Sequence, residues 1–443
     1  PAPAGVRLAG SRGGRVTEAG PRRARGGVLI VGGGFAGASV ASRLGHAGAT
    51  IVSPQNYMLY TPLLPEAASG GIEPRHATVP LRLMCPHAEV VLGRAVGHEP
   101  GVKALRVATE TGEVTIAYDH LVLAAGAVTR TLPIPGLAEH GVGFKSFAEA
   151  VHLRNRLLRA LEVADTLDDP GAIRRRLGVV VVGAGYAGVE ALAEMRALVS
   201  DALGFYPRLA GAAPRWVLVD LADRILPEVP RRLADYARQE LEREGIEVRT
   251  GTTLDRVEPG LVHLSDGEVV EADTVVWTAG VRANPLAREL GLPTDDHGRV
   301  LVDPCLRVEG ADGVWALGDN ARVPNQSSGR PDPPSAQHAL QQARLLAVNI
   351  RRTRRGRAPI DHRYTALGQV ATVGRYRGVA EIGPLHLRGL AGWGMARAVH
   401  LAHIPLRRRQ VRVALDWSLS LVFRRDIAQV TLVPERPDPP PPG

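Results

Sequence analysis

The strongest constraint on this chain is a short pattern that it carries twice. Val28-Leu29-Ile30-Val31 runs straight into Gly32-x-Gly34-x-x-Gly37, and an alanine-rich stretch continues to Leu44. Four apolar, mostly β-branched residues suit a strand buried on both faces. Each glycine then has its own task. Gly32 permits a tight turn, Gly34 lets backbone approach a pyrophosphate, and Gly37 lets the helix pack close to the strand. A helix opening at Phe35-Ala36 aims free N–H groups and the positive end of its dipole at that phosphate. One such pattern is weak evidence. Val179–Val182 followed by Gly183-x-Gly185-x-x-Gly188, with Tyr186-Ala187 opening the helix, repeats all of it. The pair predicts an α/β protein with two Rossmann-like dinucleotide-binding domains.

The segments downstream of the two copies differ. After the first, Ala49–Ser53 reads as a second strand, and Ser53 stands where an acid usually binds the adenosine ribose. Val90–Val96 is expected to form another strand, with Val96 beside the nucleotide, and a hairpin is expected to turn near Gly112. A buried strand from Tyr118 ends in Ala125-Gly126, small enough for backbone to approach a ring or a phosphate. After the second copy, Arg215–Asp220 does end in an acid, which suits a ribose 2′-hydroxyl and repels a 2′-phosphate. An insertion around 200–213 accounts for its distance from the glycines. Asp273–Gly280, ending in Ala279-Gly280, echoes Asp119–Gly126. Gly318-Asp319 brings a carboxylate to a polyol. Pro333-Pro334 and Ser335 then announce a capped helix that carries Ala336, Gln337 and Gln341.

Composition narrows the partners. The net charge is +9, and of 54 basic side chains only Lys103 and Lys145 are lysines. Such arginine bias follows base composition more readily than function. No nucleic-acid motif accompanies it, and aromatics are 4% of the chain, too few for base stacking. Cys85 and Cys305 are far apart and unpaired in motif, which argues against a metal cluster or a redox disulfide. No run of eighteen apolar residues suggests a spanning helix. Residues 1–26 are read as a disordered leader and 434–443 as a disordered tail.

Two further stretches stand out. Gln55–Pro65 mixes aromatics and prolines with little charge, either as a packed loop or as the lining of an apolar passage. Leu390–Phe423 holds two amphipathic segments: Leu390, Trp393, Leu401 and Ile404 on one, with Arg397 able to snorkel, and a helix from Val411 on the other. There Val411, Leu415, Leu419 and Val422 share a face, and Arg407–Arg409 and Arg424-Arg425 flank it. This pattern suits a membrane interface or, alternatively, a dimer or core-packing face.

Together these motifs resemble the two-dinucleotide flavoprotein oxidoreductases, and most closely the type II NADH dehydrogenases (NADH:quinone oxidoreductases). Asn56-Tyr57 with Pro62-Leu63-Leu64, Ala336-Gln337-His338-Ala339-Leu340-Gln341 and the tail from Leu390 carry that choice. Ser53, Pro65-Glu66 (where many members have Tyr-Gln) and Ala343 depart from the pattern. The resemblance implies FAD on Gly32, Gly34, Phe35, Ala36, Gly37, Ser53, Val96, Ala125, Gly126, Gly318, Asp319 and Ala336. It implies NADH on Gly183, Gly185, Tyr186, Ala187, Gly188, Glu190, Asp220, Ala279 and Gly280. Glu190, Gln337 and Gln341 become the catalytic candidates, although a glutamate early in a helix also serves as a dipole partner. No metal is expected. The implied layout is an FAD domain over 27–150 and 285–345, an NADH domain over 151–284, and a membrane-associating domain over 346–433. The implied activity is non-pumping electron transfer from NADH to a membrane quinone, by a protein peripheral to the cytoplasmic face of the cell membrane and able to form a homodimer. A soluble NADH-dependent reductase of a protein carrier, or a redox-sensing flavoprotein, remains open.

Overall fold

The computed structural model describes residues 22–366 and 368–429. The expected leader and tail therefore lie mostly outside the described residues. The leader boundary moves, however. Arg22–Arg23 pair in parallel with Ile116–Ala117, because Arg22 meets Glu89 and Arg23 meets Asp119 at 2.7 Å. The ordered fold thus begins before residue 26.

Two parallel five-stranded sheets hold the two glycine patterns. The first contains β1 (Val28–Val31), β2 (Ala49–Ser53), β3 (Ala88–Leu92), β4 (His120–Leu123) and, much later in the chain, β10 (Val314–Ala316). The second contains β5 (Gly141–Gly143), β6 (Val179–Val182), β7 (Trp216–Asp220), β8 (Ile246–Thr250) and β9 (Thr274–Trp277). Spatial order is β10-β4-β1-β2-β3 in one and β5-β9-β6-β7-β8 in the other. The glycine-turn strand is central in both, with the echoed strand (β4 or β9) at its side. β1, β4, β6 and β9 are buried throughout, as their uninterrupted apolar runs require.

The helices that matter are α1 (Phe35–Leu44), α2 (Leu64–Ser69), α3 (Phe147–Ala164), α4 (Tyr186–Leu203), α5 (Ala336–Arg354), α6 (Gly389–His403) and α7 (Arg407–Val422). Ser146 and Glu149 close a reciprocal capping box at the start of α3. α4 runs to Leu203 and a short turn follows at Pro207–Leu209; this extra length explains why Asp220 lies so far from its glycines.

Three expectations change. Val90–Val96 is not one strand. β3 stops at Leu92, Gly93 intervenes, and Arg94–Glu99 joins the sheet of the Gly112 hairpin instead. α5 crosses the boundary drawn at 345, since Leu346, Ala347 and Ile350 continue its buried face. α7 begins at Arg407 rather than Val411, because Gln410 turns its amide back to the Ile404 carbonyl at 3.1 Å.

The C-terminal part is built into both cores. Ile404, Val413 and Trp417 join the core of the first sheet, while Ala371, Val373 and Val379 join that of the second. Residues Gly368–Thr372, Gly378–Ile382 and Leu385–Arg388 form a separate antiparallel sheet under α6. No helix among the described residues is long and apolar enough to cross a membrane.

Candidate active site

At the first turn Gly32 has φ +110°, and a Cβ there would lie 2.2 Å from the Ala124 carbonyl oxygen. A Cβ on Gly37 would lie 2.0 Å from the Gly32 oxygen, so α1 sits directly on the turn. Gly34 and Gly126, by contrast, have no atom within 4 Å of that position. Their faces are open toward the helix N-terminus, as a bound pyrophosphate needs. The Gly126 N–H is held by Asn320 Oδ1 at 3.0 Å, and the Asn320 amide returns to the Leu123 carbonyl. Asp319 is largely enclosed, and burial pushes its carboxyl up against the pull of Lys145, whose Nζ is 3.9 Å away. Such a carboxylate has room for hydroxyl donors. These features fit a flavin dinucleotide.

A buried polar network supports this site from behind. The Gly318 N–H donates to Gln342 Oε1 at 2.8 Å, and Gln342 Nε2 donates to Asp332 at 2.8 Å. Asp332 also accepts from Asn325 at 2.8 Å and lies 2.7 Å from His362 Nε2. Burial alone would raise Asp332, but these hydrogen bonds hold it below the usual carboxylate range. Ser335 caps α5 by accepting the His338 N–H at 3.3 Å, as its sequence position requires. Ala336, Gln337 and His338 form the first turn of α5 beside this network.

At the second turn Gly183 has φ +108°, and a Cβ on Gly188 would lie 1.8 Å from the Gly183 oxygen. Gly185 and Gly280 are open. Asp220 lays its carboxylate along the turn, accepting the N–H of Ala184 on one oxygen and of Ala222 (2.7 Å) on the other. The Thr278 hydroxyl, next to Ala279, donates to the carbonyls of Val182 and Gly183 at 2.8 and 2.9 Å. Tyr186 and Ala187 open α4. The Tyr186 phenol is buried, which pushes it up.

Glu190 is 8% exposed. Its Oε1 accepts the Thr372 N–H at 2.8 Å and the Thr372 hydroxyl at 3.2 Å. Burial outweighs both bonds and pushes the carboxyl up to about 8, which favours its protonated form.

Some expected residues are placed differently from their sequence reading. Ser53 is buried beneath Gly33, whose Cβ would lie 2.8 Å from the Ser53 hydroxyl. Val96 is 47% exposed, at a bulge between Ala95 and Gly97. Gln341 turns toward Arg344 at 3.3 Å, and its neighbour Gln342 takes the inward position. Arg397 does not snorkel. Its side chain is 16% exposed, lies between the rings of Trp393 and Trp417 (4.4 and 4.5 Å), and pairs with Glu66 at 3.0 Å. The residues not singled out in the sequence are Asn320, Asp332, Gln342, Thr278 and Thr372. Only Gln342 left a signal: it follows Ala339 by three positions, on the inward face of the helix.

The Gln55–Pro65 stretch is ordered. Phe35 and Tyr60 pack with ring centroids 5.5 Å apart, and the Tyr60 hydroxyl donates to the His400 carbonyl at 3.1 Å. This stretch, which includes Asn56-Tyr57 and Pro62-Leu63-Leu64, is thereby joined to α6. On α7 the exposed large apolar side chains are Val411, Leu415, Leu419, Leu421 and Val422, followed by Phe423.

Two parallel sheets with matching glycine turns, a largely enclosed carboxylate at one and a buried acid at the other fit the class of two-dinucleotide oxidoreductases. The family described as pyridine nucleotide-disulphide oxidoreductase matches residues 26–343, and the chain belongs to it. Within it, the chain belongs with the type II NADH:quinone oxidoreductases. It is 31% identical to the type II NADH:quinone oxidoreductase Ndh of Mycobacterium tuberculosis, over 91% of this chain and 89% of that one. It is 30% identical to the demethylphylloquinone reductase NdbB of Synechocystis, over 91% of this chain and 96% of that one. A solved structure of NDH2 from Plasmodium falciparum shares the fold, with a TM-score of 0.85 at 18% identity, over 92% of this chain and 100% of that one. The expected fold class and FAD cofactor agree with this membership.

Proposed function

We propose that this chain carries two electrons from NADH through FAD to a quinone, without pumping protons, while docked on a membrane by α6 and α7. The observation that carries this reading is the junction between the docking helices and the Gln55–Pro65 stretch. α7 presents Val411, Leu415, Leu419 and Val422 outward, and α6 touches Tyr60 and Glu66 of the loop region. A quinone leaving lipid would meet that junction first. When bound, FAD accepts a hydride and returns two electrons.

On this reading FAD is held by Gly32, Gly34, Phe35, Ala36, Gly37, Gly126, Gly318 and Asp319, with Ser53 and Val96 as neighbours rather than anchors. NADH is held by Gly183, Gly185, Tyr186, Gly188, Asp220 and Gly280. Gln337, in the first turn of α5, orients the acceptor, where the helix dipole also favours growing negative charge. Glu190 lies beside the nicotinamide site, where burial favours its protonated form. The protein sits on the cytoplasmic face, with Arg407–Arg409 and Arg412 near anionic headgroups.

The test has two parts. Stopped-flow absorbance should show flavin bleaching with NADH and returning with a short-chain quinone. Anionic vesicles should sediment the protein, and Leu415→Glu with Leu419→Glu should release it, by about tenfold in affinity or more, since both lost apolar burial and added negative charge oppose binding. Flavin that bleaches but does not return with quinone would defeat the acceptor assignment. Unchanged sedimentation of the double variant would defeat the docking face.

A further inference from the structure

Beyond Tyr60 the chain enters α2 and brings Glu66 to a junction of several elements. Its carboxyl is buried. One oxygen lies 3.0 Å from Arg397 of α6, and the other accepts the Trp417 indole N–H of α7 at 2.6 Å. One turn further along α2, the Ser69 hydroxyl donates to Glu194 of α4 at 2.8 Å. Arg425, just past α7, reaches the same oxygen at 2.7 Å. One turn back along α4 lies Glu190, held by Thr372. Arg154 of α3 is close by but spends its guanidinium on the carbonyls of Asp426 and Ala428. His400 of α6 is pushed down to about 4 by burial and brings no charge.

Three carboxyls therefore share one buried cluster with two guanidiniums, Arg397 and Arg425. Full ionisation would leave a surplus negative charge in a medium that solvates it poorly, at a cost of several kcal/mol. Holding a proton removes that cost, and the proton belongs to the cluster rather than to one residue. Burial pushes Glu66 above the usual carboxylate range against the pull of Arg397, and the charges of Glu66 and Glu194 raise Glu190 further. Nε and Nη1 of Arg397 are buried without a partner among the described residues. They remain available to steady the carboxylate left behind when Glu66 loses its proton.

We propose that Glu66, on the docking side of this cluster, stores the proton consumed in quinone reduction and relays it toward Glu190. This rests on the quinone reading above and extends it. In the overall reaction the nicotinamide C4–H bond breaks, and its hydride supplies two electrons and one proton. The quinol has two new O–H bonds, so a second proton comes from water. Glu66 lies on the docking side of the cluster, bonded to Arg397 of α6 and Trp417 of α7, and acts through Glu190 rather than on the cofactors.

Glu66→Gln in the flavin-loaded full chain tests this, with two acceptors compared. A water-soluble quinone takes electrons and protons; ferricyanide takes electrons only. We expect kcat with quinone to fall by about tenfold or more, its solvent deuterium isotope effect to grow, and its alkaline limb to shift. The ferricyanide rate and flavin content should hold, and Glu66→Asp should recover part of the quinone rate. Infrared spectra of the resting protein should lose a carboxylic-acid C=O band that titrates near neutrality. Equal loss with both acceptors would make Glu66 a packing residue and overturn the relay. So would an unchanged quinone rate, or an unchanged infrared band. Wild-type protein that reduces ferricyanide but no quinone would instead fail the acceptor assignment, and the relay with it.

Discussion

At the first glycine turn the neighbouring strand ends in Ser53, buried under Gly33 and too short to reach the turn's amides. At the second it ends in Asp220, whose two oxygens bind the amides of Ala184 and Ala222. The position two residues after the third glycine differs in the same way. In α1 it is Ser39, which accepts from Arg43 of its own helix at 3.4 Å. In α4 it is Glu190, which reaches out to Thr372 on another sheet. The first turn is finished by distant segments, through Asn320, Gln342 and Asp332. The second is shaped by its own strand and then connected to the C-terminal part. Equal backbone geometry is thus supported by distant segments at one turn and by its own strand at the other.

The largest expected effect separates the two sites outright. Gly37→Ala puts a Cβ 2.0 Å from the Gly32 oxygen, and Gly188→Ala puts one 1.8 Å from the Gly183 oxygen. Both are backbone collisions that force α1 or α4 off its strand, at about 1–3 kcal/mol or more. Gly37→Ala should give colourless protein. Gly188→Ala should stay yellow, with flavin that NADH reduces at least about a hundredfold more slowly, since misplaced reactants cost that much. Absorbance at the flavin band reads both. Loss of flavin from the Gly188 variant would show that the two sites are not independent.

A smaller effect comes from Glu190. Its folded-state value of about 8 lies above that of an unfolded glutamate. The stability it lends is complete below the unfolded value and is lost as pH rises through the window ending near 8. Glu190→Gln should therefore melt less steeply between pH 5 and 9 than wild type, by a few kcal/mol at most, since each unit of displacement is worth about 1.4 kcal/mol. FAD should stay bound while quinone turnover slows. Ser39→Ala, at the matching place in α1, should leave the pH slope of Tm unchanged. Parallel slopes for Glu190→Gln and wild type would mean that this carboxyl is ionised at neutral pH.

Most of the fold was legible because buried parallel strands and glycine turns are local signals. Val28–Val31 and Val179–Val182 name their own strands, and the Asp119 and Asp273 echo marked paired domains, whose echoed strands the structure sets beside the central strand. The site was legible only where it tracks the turns. Asp332 sits in a Pro-rich loop and gains meaning from Gln342, His362 and Asn325, which no spacing rule connects. Arg397 read as a snorkelling residue because its helix is amphipathic; Glu66, distant in sequence, is what draws it inward. The break at Gly93 was missed because the apolar residues on either side, Val90-Val91-Leu92 and Ala95-Val96, read as one run although they belong to different sheets.

The smallest effect is the finest test of the contrast. Asp220→Asn leaves one oxygen to accept an amide but turns an NH2 group toward the other, so one of the two N–H donors loses its partner. That costs about 1–2 kcal/mol locally, roughly a tenfold rise in the KM for NADH, with kcat at saturation nearly preserved. Removing the charge also removes the repulsion of a 2′-phosphate, so the preference for NADH over NADPH should narrow by a similar factor. Flavin content should not change, because the first turn never used an acid at this place. If KM rises equally for both nucleotides, Asp220 only shapes the turn; if the ratio alone moves, the carboxylate faces the ribose and the backbone bonds are secondary.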